Sequence, residues 1–500
     1  MNWILLGLLV IVLAGHFLSL TIYPTIFIDE SWLANTSWSW LKTGVPFDLI
    51  HSGPLDQFGY AWLTDNFLGQ APYAIAYQLI GLGLFQTRLV SWLFSLILVV
   101  ATIQVGRRLF DLKAGLLAGL LLTLSMPYLQ SSRQRQDVIL AAMIMVSFWL
   151  ALYALDKDKV WAHFLSGLLL GLGFDVHQTA MIFIPALGAL YLLHYRKRLL
   201  FARGTWIVGI GGALGLGYYA ATHMLPNFEV YSKLMSFYFV SEADARIPLT
   251  NPSIILESAV RELSRYRFRE NPLDLLAIAA GTLALLYRRS KSDQRLLTYT
   301  AVAFASFILL SSSKTPLYAI NLYPFFMLIA GAGAVAVMQM ARRPLVARIA
   351  LVAIVAFVGF NLVQTAARIY SQRDYDYYAI TNRIREVIPD GQRILGMPTW
   401  WLGLSEYDYI SSLNVPYYRF FNNLDVQQAL EEIHPDYIIV DDAQRAVLVD
   451  EGQQLMQGMN VYAVSRQEFD AVLESQAELV LQFSDPWHGT FQIYHLIWPE

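Results

Sequence analysis

Two acidic side chains, Asp29 and Glu30, stand side by side shortly after an apolar run, Trp3 to Tyr23, that contains no Asp, Glu, Lys or Arg. A carboxylate held in a site can take the proton from an attacking hydroxyl or amine, which is the role of a general base. The same pair could begin a helix, with Asp29 as its cap and Glu30 favoured by the helix dipole, an effect of about 1 kcal/mol. The residue types leave both functions open, and one residue can perform both.

Three more short segments combine basic, acidic and hydroxyl side chains. They are "SSRQRQD" with Arg133, Arg135 and Asp137, "GFDVHQ" with Asp175 and His177, and "SSKTPLYAINLYP" with Lys314 and Tyr318. Each has a simple alternative: the arginines could be interface anchors, the second segment only a loop, and the Lys–Tyr pair part of an aromatic belt. No single segment decides between these readings.

The composition is that of a membrane protein. Of 500 residues, 56% are hydrophobic and only 15% are charged, which departs from soluble domains in both respects. The net charge of -3 provides no basic field, so we expect no nucleic-acid partner. Cysteine is absent, which excludes disulfides, thiolate metal sites and thiol nucleophiles. The first apolar run lacks a basic start and a cleavage pattern, so we interpret it as a retained span.

About 20 mostly apolar residues are needed for a helix to cross the hydrocarbon core of a membrane. About 11 runs meet this requirement and predict a mainly α, polytopic helix bundle: roughly 3–23, 88–106, 113–131, 138–155, 160–175, 178–195, 205–223, 272–287, 296–313, 317–340 and 349–367.

The basic residues predict the orientation of the bundle, because Lys and Arg collect in short cytoplasmic loops. They cluster in every second loop, around residues 107–113, 157–159, 196–203, 288–295 and 342–348. The N-terminus is then cytoplasmic, and the segments 24–87, 132–137, 223–271, 313–317 and everything after about 370 lie outside. The loop 223–271 is also rich in arginine, but long translocated loops obey this rule poorly.

After residue 370 the sequence changes to a soluble pattern. "RILGMPTWWLGL" predicts a strand and turn, "LDVQQALEEIHP" a helix, "DYIIVDD" a buried strand, and "AELVLQFSDPWHGTFQIYHLIW" a hairpin. We therefore predict a transmembrane domain, 1–370, with outer loops 24–87 and 223–271, followed by a small extracytoplasmic α/β domain, 371–500.

The predicted spans hold almost no ionisable residues, which argues against ion-coupled transport. Such residues gather in four loops on one predicted side of the membrane. We therefore expect a candidate active site at the membrane–water interface.

In order and together, these segments resemble the GT-C glycosyltransferases of the protein O-mannosyltransferase and aminoarabinose-transferase type, which use polyprenyl-phosphate sugars. The resemblance covers about the first 340 residues. It is carried by "DESWLANTSWSWLKTGVP", by "TRLVSWLFSLILVVATIQVGRRLFDLKAGLLAGLLLTLSMPYLQSSRQRQDVILA", by "GLLLGLGFDVHQTAMIFIPALGALYLL" and by "SSSKTPLYAINLYPFFMLIAG".

The resemblance implies that a sugar moves from a polyprenyl-phosphate lipid to a glycan, lipid or protein acceptor, with inversion, at a multi-pass cell membrane. Asp29 would be the general base, with Glu30 and Asp137 as auxiliary acids. Arg133, Arg135, Lys314 and Tyr318 would hold the donor phosphate, and Asp175 and His177 could contact substrate.

Mg²⁺ or Mn²⁺ would suit oxygen ligands around a phosphate, although no ligand spacing here is diagnostic. Many relatives carry a lysine where this chain has Gln70, so the role of that lysine would pass to another group or be absent. Two other functions stay open: a flippase for lipid-linked sugars, and a membrane scaffold without catalysis.

Overall fold

The computed structural model of the chain describes residues 2–56, 66–131, 133, 135–233, 252–311, 315–341, 344–450 and 462–498. Lys314, one of the residues predicted to hold phosphate, lies outside this set.

Helices dominate the described residues. In chain order they are α1 Asn2–Leu18, α2 Ile28–Thr43, α3 Phe67–Ile80, α4 Leu84–Leu109, α5 Leu112–Thr123, α6 Met126–Gln130, α7 Gln136–Lys157, α8 Val160–Val176, α9 Ile184–Tyr195, α10 Arg203–Tyr219, α11 Ile255–Arg265, α12 Pro272–Arg288, α13 Lys291–Leu310, α14 Tyr323–Met340, α15 Pro344–Ser371, α16 Tyr377–Arg385, α17 Asn414–Asn422, α18 Val426–Ile433, α19 Asp442–Val447 and α20 Arg466–Gln476. The strands are β1 Arg393–Gly396, β2 Asp408–Ser411, β3 Tyr437–Val440, β4 Leu448–Val449, β5 Val464–Ser465, β6 Ala477–Asp485 and β7 Gly489–Leu496.

Each predicted span overlaps at least one helix, and the predicted mainly α fold is confirmed. By length and composition, five helical segments of the described chain could cross a membrane: Leu84–Leu109, Gln136–Lys157, Gln178–Phe201, Tyr323–Met340 and Pro344–Ser371. Shorter apolar helices are Asn2–Leu18, Leu112–Thr123 and Val160–Val176. The figure of about 11 spans stays a prediction.

Three predicted spans are interrupted near a proline. The run 113–131 is split into α5 and α6, with Ser125 capping α6 and a proline in its first turn. Before α9 and α14 the chain instead forms 3-10 turns, Gln178–Phe183 and Pro316–Asn321, and a proline stands in the first turn of each following helix. Proline lacks a backbone donor and is favoured in the first turn of a helix, so these three prolines mark the start of a new helix. These breaks lie beside the polar segments singled out above.

The chain forms two compact units. The first unit holds residues 1–20, 89–222 and 246–372, and the second holds 21–88, 223–245 and 373–500. The domain boundary predicted near residue 370 stays a prediction. The predicted outer loop 24–87 lies within the segment 21–88, which belongs to the same unit as the C-terminal segment 373–500.

Helices of the first unit approach closely at glycines. A Cβ added to Gly167 of α8 would lie 1.9 Å from the carbonyl oxygen of Val208 in α10. Small residues let helix backbones pack in this way inside a membrane. This close packing holds α8, whose last turn carries Asp175, against α10.

The second unit contains a five-stranded sheet in the order β2-β1-β3-β7-β6. Strand β1 runs parallel to β2 and β3, whereas β7 pairs antiparallel with β3 and β6. All four residues of β3 are buried, and β6 and β7 form the predicted hairpin. The small C-terminal sheet domain is thus confirmed.

Candidate active site

The acid pair lies in the first turn of α2, in the second unit. The N-cap of this helix is Phe27, so Asp29 is not its cap. Asp29 is half-buried, and Glu30 is fully buried. The Oε1 atom of Glu30 accepts a hydrogen bond of 2.9 Å from the backbone N–H of Phe27, which satisfies one of the donors left over at a helix start. The helix ends at Gly44, whose φ of 83° is a left-handed conformation that favours glycine.

Glu30 also forms a buried ion pair with Arg88. The guanidinium donates two hydrogen bonds, from Nε to Oε2 at 2.8 Å and from Nη2 to Oε1 at 2.9 Å, and both side chains have 0% exposure. A carboxylate committed to a bidentate arginine is well suited to orient a helix and poorly suited to accept a proton. The two acids are therefore inequivalent in their surroundings.

Arg88 was missed as a site residue by sequence reasoning, which counted it only as the first residue of a predicted span. Its one signal was a lone arginine at the start of a run without other charges. Gln70, at the position where many relatives carry lysine, is buried. Its Oε1 accepts a hydrogen bond of 2.5 Å from Ser37 Oγ in α2, so its amide supports the helix.

In the first unit, Arg135 and Asp137 form a pair where α7 begins. Arg135 has an extended backbone at the N-cap, and its Nε donates to Asp137 Oδ2 at 2.7 Å. Asp137 is 3% exposed, and its Oδ1 has no hydrogen-bond partner among the described residues. A carboxylate in the first turn is favoured by the helix dipole, so this turn holds both Asp137 and its arginine in place.

Three segments of the first unit meet around the ring of Tyr318. The guanidinium carbon of Arg135 lies 5.9 Å from the ring centroid, that of Arg265 lies 5.7 Å from it, and the imidazole of His177 lies 4.9 Å away. We call Arg135, Asp137, His177, Arg265 and Tyr318 the Tyr318 cluster. Its members come from α7, α8 and its C-cap, α11 and the 3-10 turn before α14, so tertiary packing assembles it.

Arg265 is the second arginine of this cluster, and it is nearly fully buried. Its Nε lies 2.8 Å from Glu262 Oε1, and Nη2 donates to Oε2 of the same carboxylate at 3.0 Å. The sequence prediction left it among the arginines of loop 223–271. The excess of arginine in a loop predicted to face outward was the signal that could have identified it.

His177 links the cluster to the end of α8. Its Nδ1 lies 2.9 Å from Thr179 Oγ1. Burial lowers the pKa of His177 below its ordinary value; Arg135 lowers it further, whereas Asp137 opposes this shift. The imidazole is therefore neutral near pH 7 and can donate or accept hydrogen bonds, as a group contacting sugar hydroxyls would.

Two other predicted residues, Arg133 and Asp175, are not members of the Tyr318 cluster. The backbone carbonyl of Arg133 accepts a hydrogen bond of 3.0 Å from Ser91 Oγ, and Asp175 is buried in the last turn of α8. Within the part of the chain that the structure describes, no three His, Asp or Glu side chains are grouped to hold a metal ion. The use of Mg²⁺ or Mn²⁺ stays a prediction.

Comparison with known proteins addresses the family resemblance. Residues 67–218 match the family described as dolichyl-phosphate-mannose-protein mannosyltransferase. No curated protein matches the chain at a significant level.

Two groups of solved structures share the fold. ArnT from Cupriavidus metallidurans bound to undecaprenyl phosphate aligns over 100% of this chain and 99% of its own, with a TM-score of 0.58 and 16% identity. Its apo state covers the same shares with a TM-score of 0.60 and 16% identity. The Archaeoglobus fulgidus oligosaccharyltransferase in the apo form covers 98% of this chain and 74% of its own, with a TM-score of 0.55 and 12% identity. The predicted resemblance is thus confirmed: residues 67–218 match the family described as dolichyl-phosphate-mannose-protein mannosyltransferase, and the chain has the fold of ArnT, a GT-C fold.

Proposed function

We propose that this protein transfers a sugar from a polyprenyl-phosphate lipid to an acceptor outside the cytoplasm. The acceptor oxygen or nitrogen forms a bond to the anomeric carbon, while the bond from that carbon to the phosphate oxygen breaks. The acceptor proton passes to the Asp29 carboxylate, and the polyprenyl phosphate leaves. Attack from the face opposite the phosphate inverts the anomeric carbon. The N-terminus is cytoplasmic in this proposal, and residues after about 370 are outside.

The observation that carries this proposal is the Tyr318 cluster. It gathers two arginines, each paired with a carboxylate (Asp137 or Glu262), a tyrosine and a neutral imidazole in helix-terminal segments of a largely apolar bundle. Guanidinium groups bind phosphate oxygens in a planar, bidentate manner, and their attraction increases as the leaving phosphate gains charge. The fold supports the same chemistry, because the similar ArnT was solved bound to undecaprenyl phosphate.

In this mechanism Arg135 holds the donor phosphate, with Arg133, Lys314 and Tyr318 as further ligands and Arg265 added from the structure. Asp137 orients Arg135 through the hydrogen bond at 2.7 Å. Asp175 and His177 contact the sugar. The Arg88–Glu30 pair holds the first turn of α2 in place, so that Glu30 assists Asp29 by orienting the helix.

The lipid chain needs apolar surface, and the first unit provides it. A cavity of about 620 Å³ between α5, α12, α14 and α15 is lined by residues such as Leu117, Leu276, Ala330 and Phe357. A hydrocarbon chain suits such a lining, because the side chains offer dispersion contacts without polar groups.

The test is reconstitution of the purified protein in lipid vesicles that contain polyprenyl-phosphate sugars, with the products identified by mass spectrometry. Transfer should be measured for the wild type, for Asp29→Asn and for a control, Asp390→Asn, at an exposed position of the second unit. General-base catalysis contributes about 10²–10⁴-fold, so Asp29→Asn should lose a factor of that order while the control keeps full activity. Wild-type activity of Asp29→Asn would exclude it as the base. Movement of donor lipid between leaflets without a glycosylated product would identify a flippase instead.

A further inference from the structure

Helix α2 buries more polar than apolar side chains: six of its eight buried residues are polar, and the other two are Leu33 and Ala34. Its buried residues include Glu30, Ser31, Asn35, Thr36, Ser37 and Ser39. Buried polar groups cost free energy unless they are hydrogen-bonded, and hydrogen bonds are directional whereas apolar contacts are not. A helix held by such bonds has a defined rotation and depth within its unit.

Part of this support comes from the C-terminal segment, at the 3-10 turn Pro398–Gly403. Ser31 Oγ donates a hydrogen bond of 2.8 Å to the carbonyl oxygen of Thr399. The hydroxyl of Tyr377 donates to the same oxygen at 2.9 Å, and the backbone N–H of Gly403 donates to that hydroxyl at 2.9 Å. The carbonyl that accepts from Ser31 is therefore itself held in place. Ser31 lies two residues after Asp29 in the sequence, so this bond acts close to the proposed base.

A second support reaches the chain just before the helix. The backbone N–H of Ile26 donates to the hydroxyl of Tyr375 at 3.2 Å, and this hydroxyl lies 3.2 Å from His488 Nε2. Because the tyrosine oxygen accepts from Ile26, its own proton is available for the imidazole. The His488 ring packs edge-on against Trp400, with 4.8 Å between the centroids. The residue three positions before Asp29 is thereby connected to the hairpin β6–β7.

The first turn of α2 is also held by other residues of the segment 21–88. Arg88 pairs with Glu30, and the indole N–H of Trp32 donates to Asp48 Oδ2. The carboxylate of Asp48 lies 2.7 Å from His51 Nδ1. Side-chain bonds therefore fix residues 26, 30, 31 and 32, which bracket Asp29 on both sides.

We infer that the C-terminal segment 373–500 positions the proposed base, with Tyr375 and the Ser31–Thr399 bond as the positioning contacts. This inference rests on the proposed function and assigns a role to the C-terminal segment within it. A general base has to lie about 2.6–3.2 Å from the atom whose proton it removes. A displacement of about 1 Å from such a position can reduce the rate on the order of 100-fold. Tyr375 need not touch substrate to control the rate.

The test uses Tyr375→Phe in the full chain, with Tyr407→Phe as the matched control. Both tyrosines are buried in the second unit, and Tyr407 donates its hydrogen bond of 3.0 Å to the carbonyl of Ile388, outside the turn Pro398–Gly403 and outside α2. Tyr375→Phe should lower kcat roughly 10- to 100-fold while the KM for the lipid donor stays unchanged. The control should stay within about twofold of the wild type, because it removes a buried tyrosine bond that does not support α2.

A second measurement is independent of activity. Hydrogen–deuterium exchange of a peptide covering residues 24–32 should be faster in Tyr375→Phe than in the wild type and the control, since the Ile26 amide loses its acceptor. Ser31→Ala, which removes the bond to Thr399 at nearly constant shape, should act in the same direction on kcat and exchange. It keeps the inference testable if Tyr375→Phe fails to fold.

The possible failures can be told apart. Absence of glycosyl transfer by the wild-type protein refutes the proposed function. Wild-type transfer that Tyr375→Phe and Ser31→Ala leave unchanged, with unaltered exchange of residues 24–32, refutes the positioning role alone. A rise in donor KM without a fall in kcat also overturns it, because it would assign these residues to donor binding.

Discussion

The buried Arg88–Glu30 pair leads to a quantitative prediction about stability. Replacing Arg88 by Met removes both guanidinium hydrogen bonds, at 2.8 and 2.9 Å, and leaves a carboxylate with 0% exposure without its cation. Breaking one partner of a buried ion pair costs about 3–5 kcal/mol, because the remaining charge is desolvated without compensation. We therefore expect Arg88→Met to be among the most destabilising single substitutions in the second unit.

The matched control is the double variant Arg88→Met with Glu30→Gln. The glutamine side chain is neutral, but its amide oxygen can still accept the hydrogen bond from the Phe27 N–H, which is 2.9 Å long in the wild type. Removing both charges of a buried pair is often nearly neutral, so the double variant should recover most of the lost stability. The recovery separates the cost of an unpaired charge from the cost of lost packing.

The assay is thermal unfolding in mild detergent, followed by a fluorescent dye or by binding of a conformation-sensitive reagent. For a unit of 150–250 residues, about 1 kcal/mol shifts Tm by about 2–4 °C, so Arg88→Met should lower Tm by about 6–20 °C. If Arg88→Met unfolds at the wild-type temperature, or if the double variant is no more stable than the single one, the pair does not stabilise α2 in this way.

Two further predictions concern the Tyr318 cluster. Arg135→Ala should reduce kcat/KM for the lipid donor roughly 10- to 150-fold, which corresponds to ~1.5–3 kcal/mol for one charged hydrogen bond. The control Arg385→Ala, at a partly exposed ion pair with Glu406, should leave kcat/KM unchanged. Equal kinetics of the two variants would assign phosphate binding to other groups. His177 has a pKa below its ordinary 6.5 in the folded protein because of burial, so the folded state binds fewer protons than the unfolded state as the pH falls below 6.5. Its contribution to stability is then complete above about pH 6.5 and is lost as the pH falls through the window down to the folded pKa. Thermal unfolding of wild type and His177→Gln between pH 7 and pH 5 checks this, since the variant should lose less stability on acidification, and parallel curves would contradict the assignment.

Much of the helical fold is predictable from the sequence because it follows from local physics. A membrane span needs an apolar run of sufficient length, and each of the runs from 3–23 to 349–367 overlaps at least one helix. The hairpin β6–β7 and the buried strand β3 follow from alternation and from a continuous apolar run in the same way. Breaks near prolines, such as that between α5 and α6, are not predicted by hydropathy, because the apolar run continues through them.

The polar segments were identified from residue type alone, since charged and hydroxyl groups are costly inside a membrane and collect at its surface. Their partners could not be identified in this way. The sequence does not reveal that Arg265, more than 120 positions after Arg135, flanks the same tyrosine ring. Such contacts depend on how distant helices pack, and no local pattern records that packing.

The pair Asp29 and Glu30 shows what the sequence predicts and what only the tertiary structure reveals. By itself the sequence determined that Asp29 and Glu30 begin a helix after an apolar run, because capping preferences and hydropathy are local properties. Only the tertiary structure decided that the two acids differ, with Glu30 buried against Arg88 and Asp29 half-buried. It also decided that Ser31 of α2, and Ile26 just before the helix, donate hydrogen bonds to groups more than 340 positions away, the Thr399 carbonyl and the Tyr375 hydroxyl. The physical reason is that burial and charge pairing depend on which surfaces meet after folding, and they determine which of two adjacent carboxylates is committed to an ion pair.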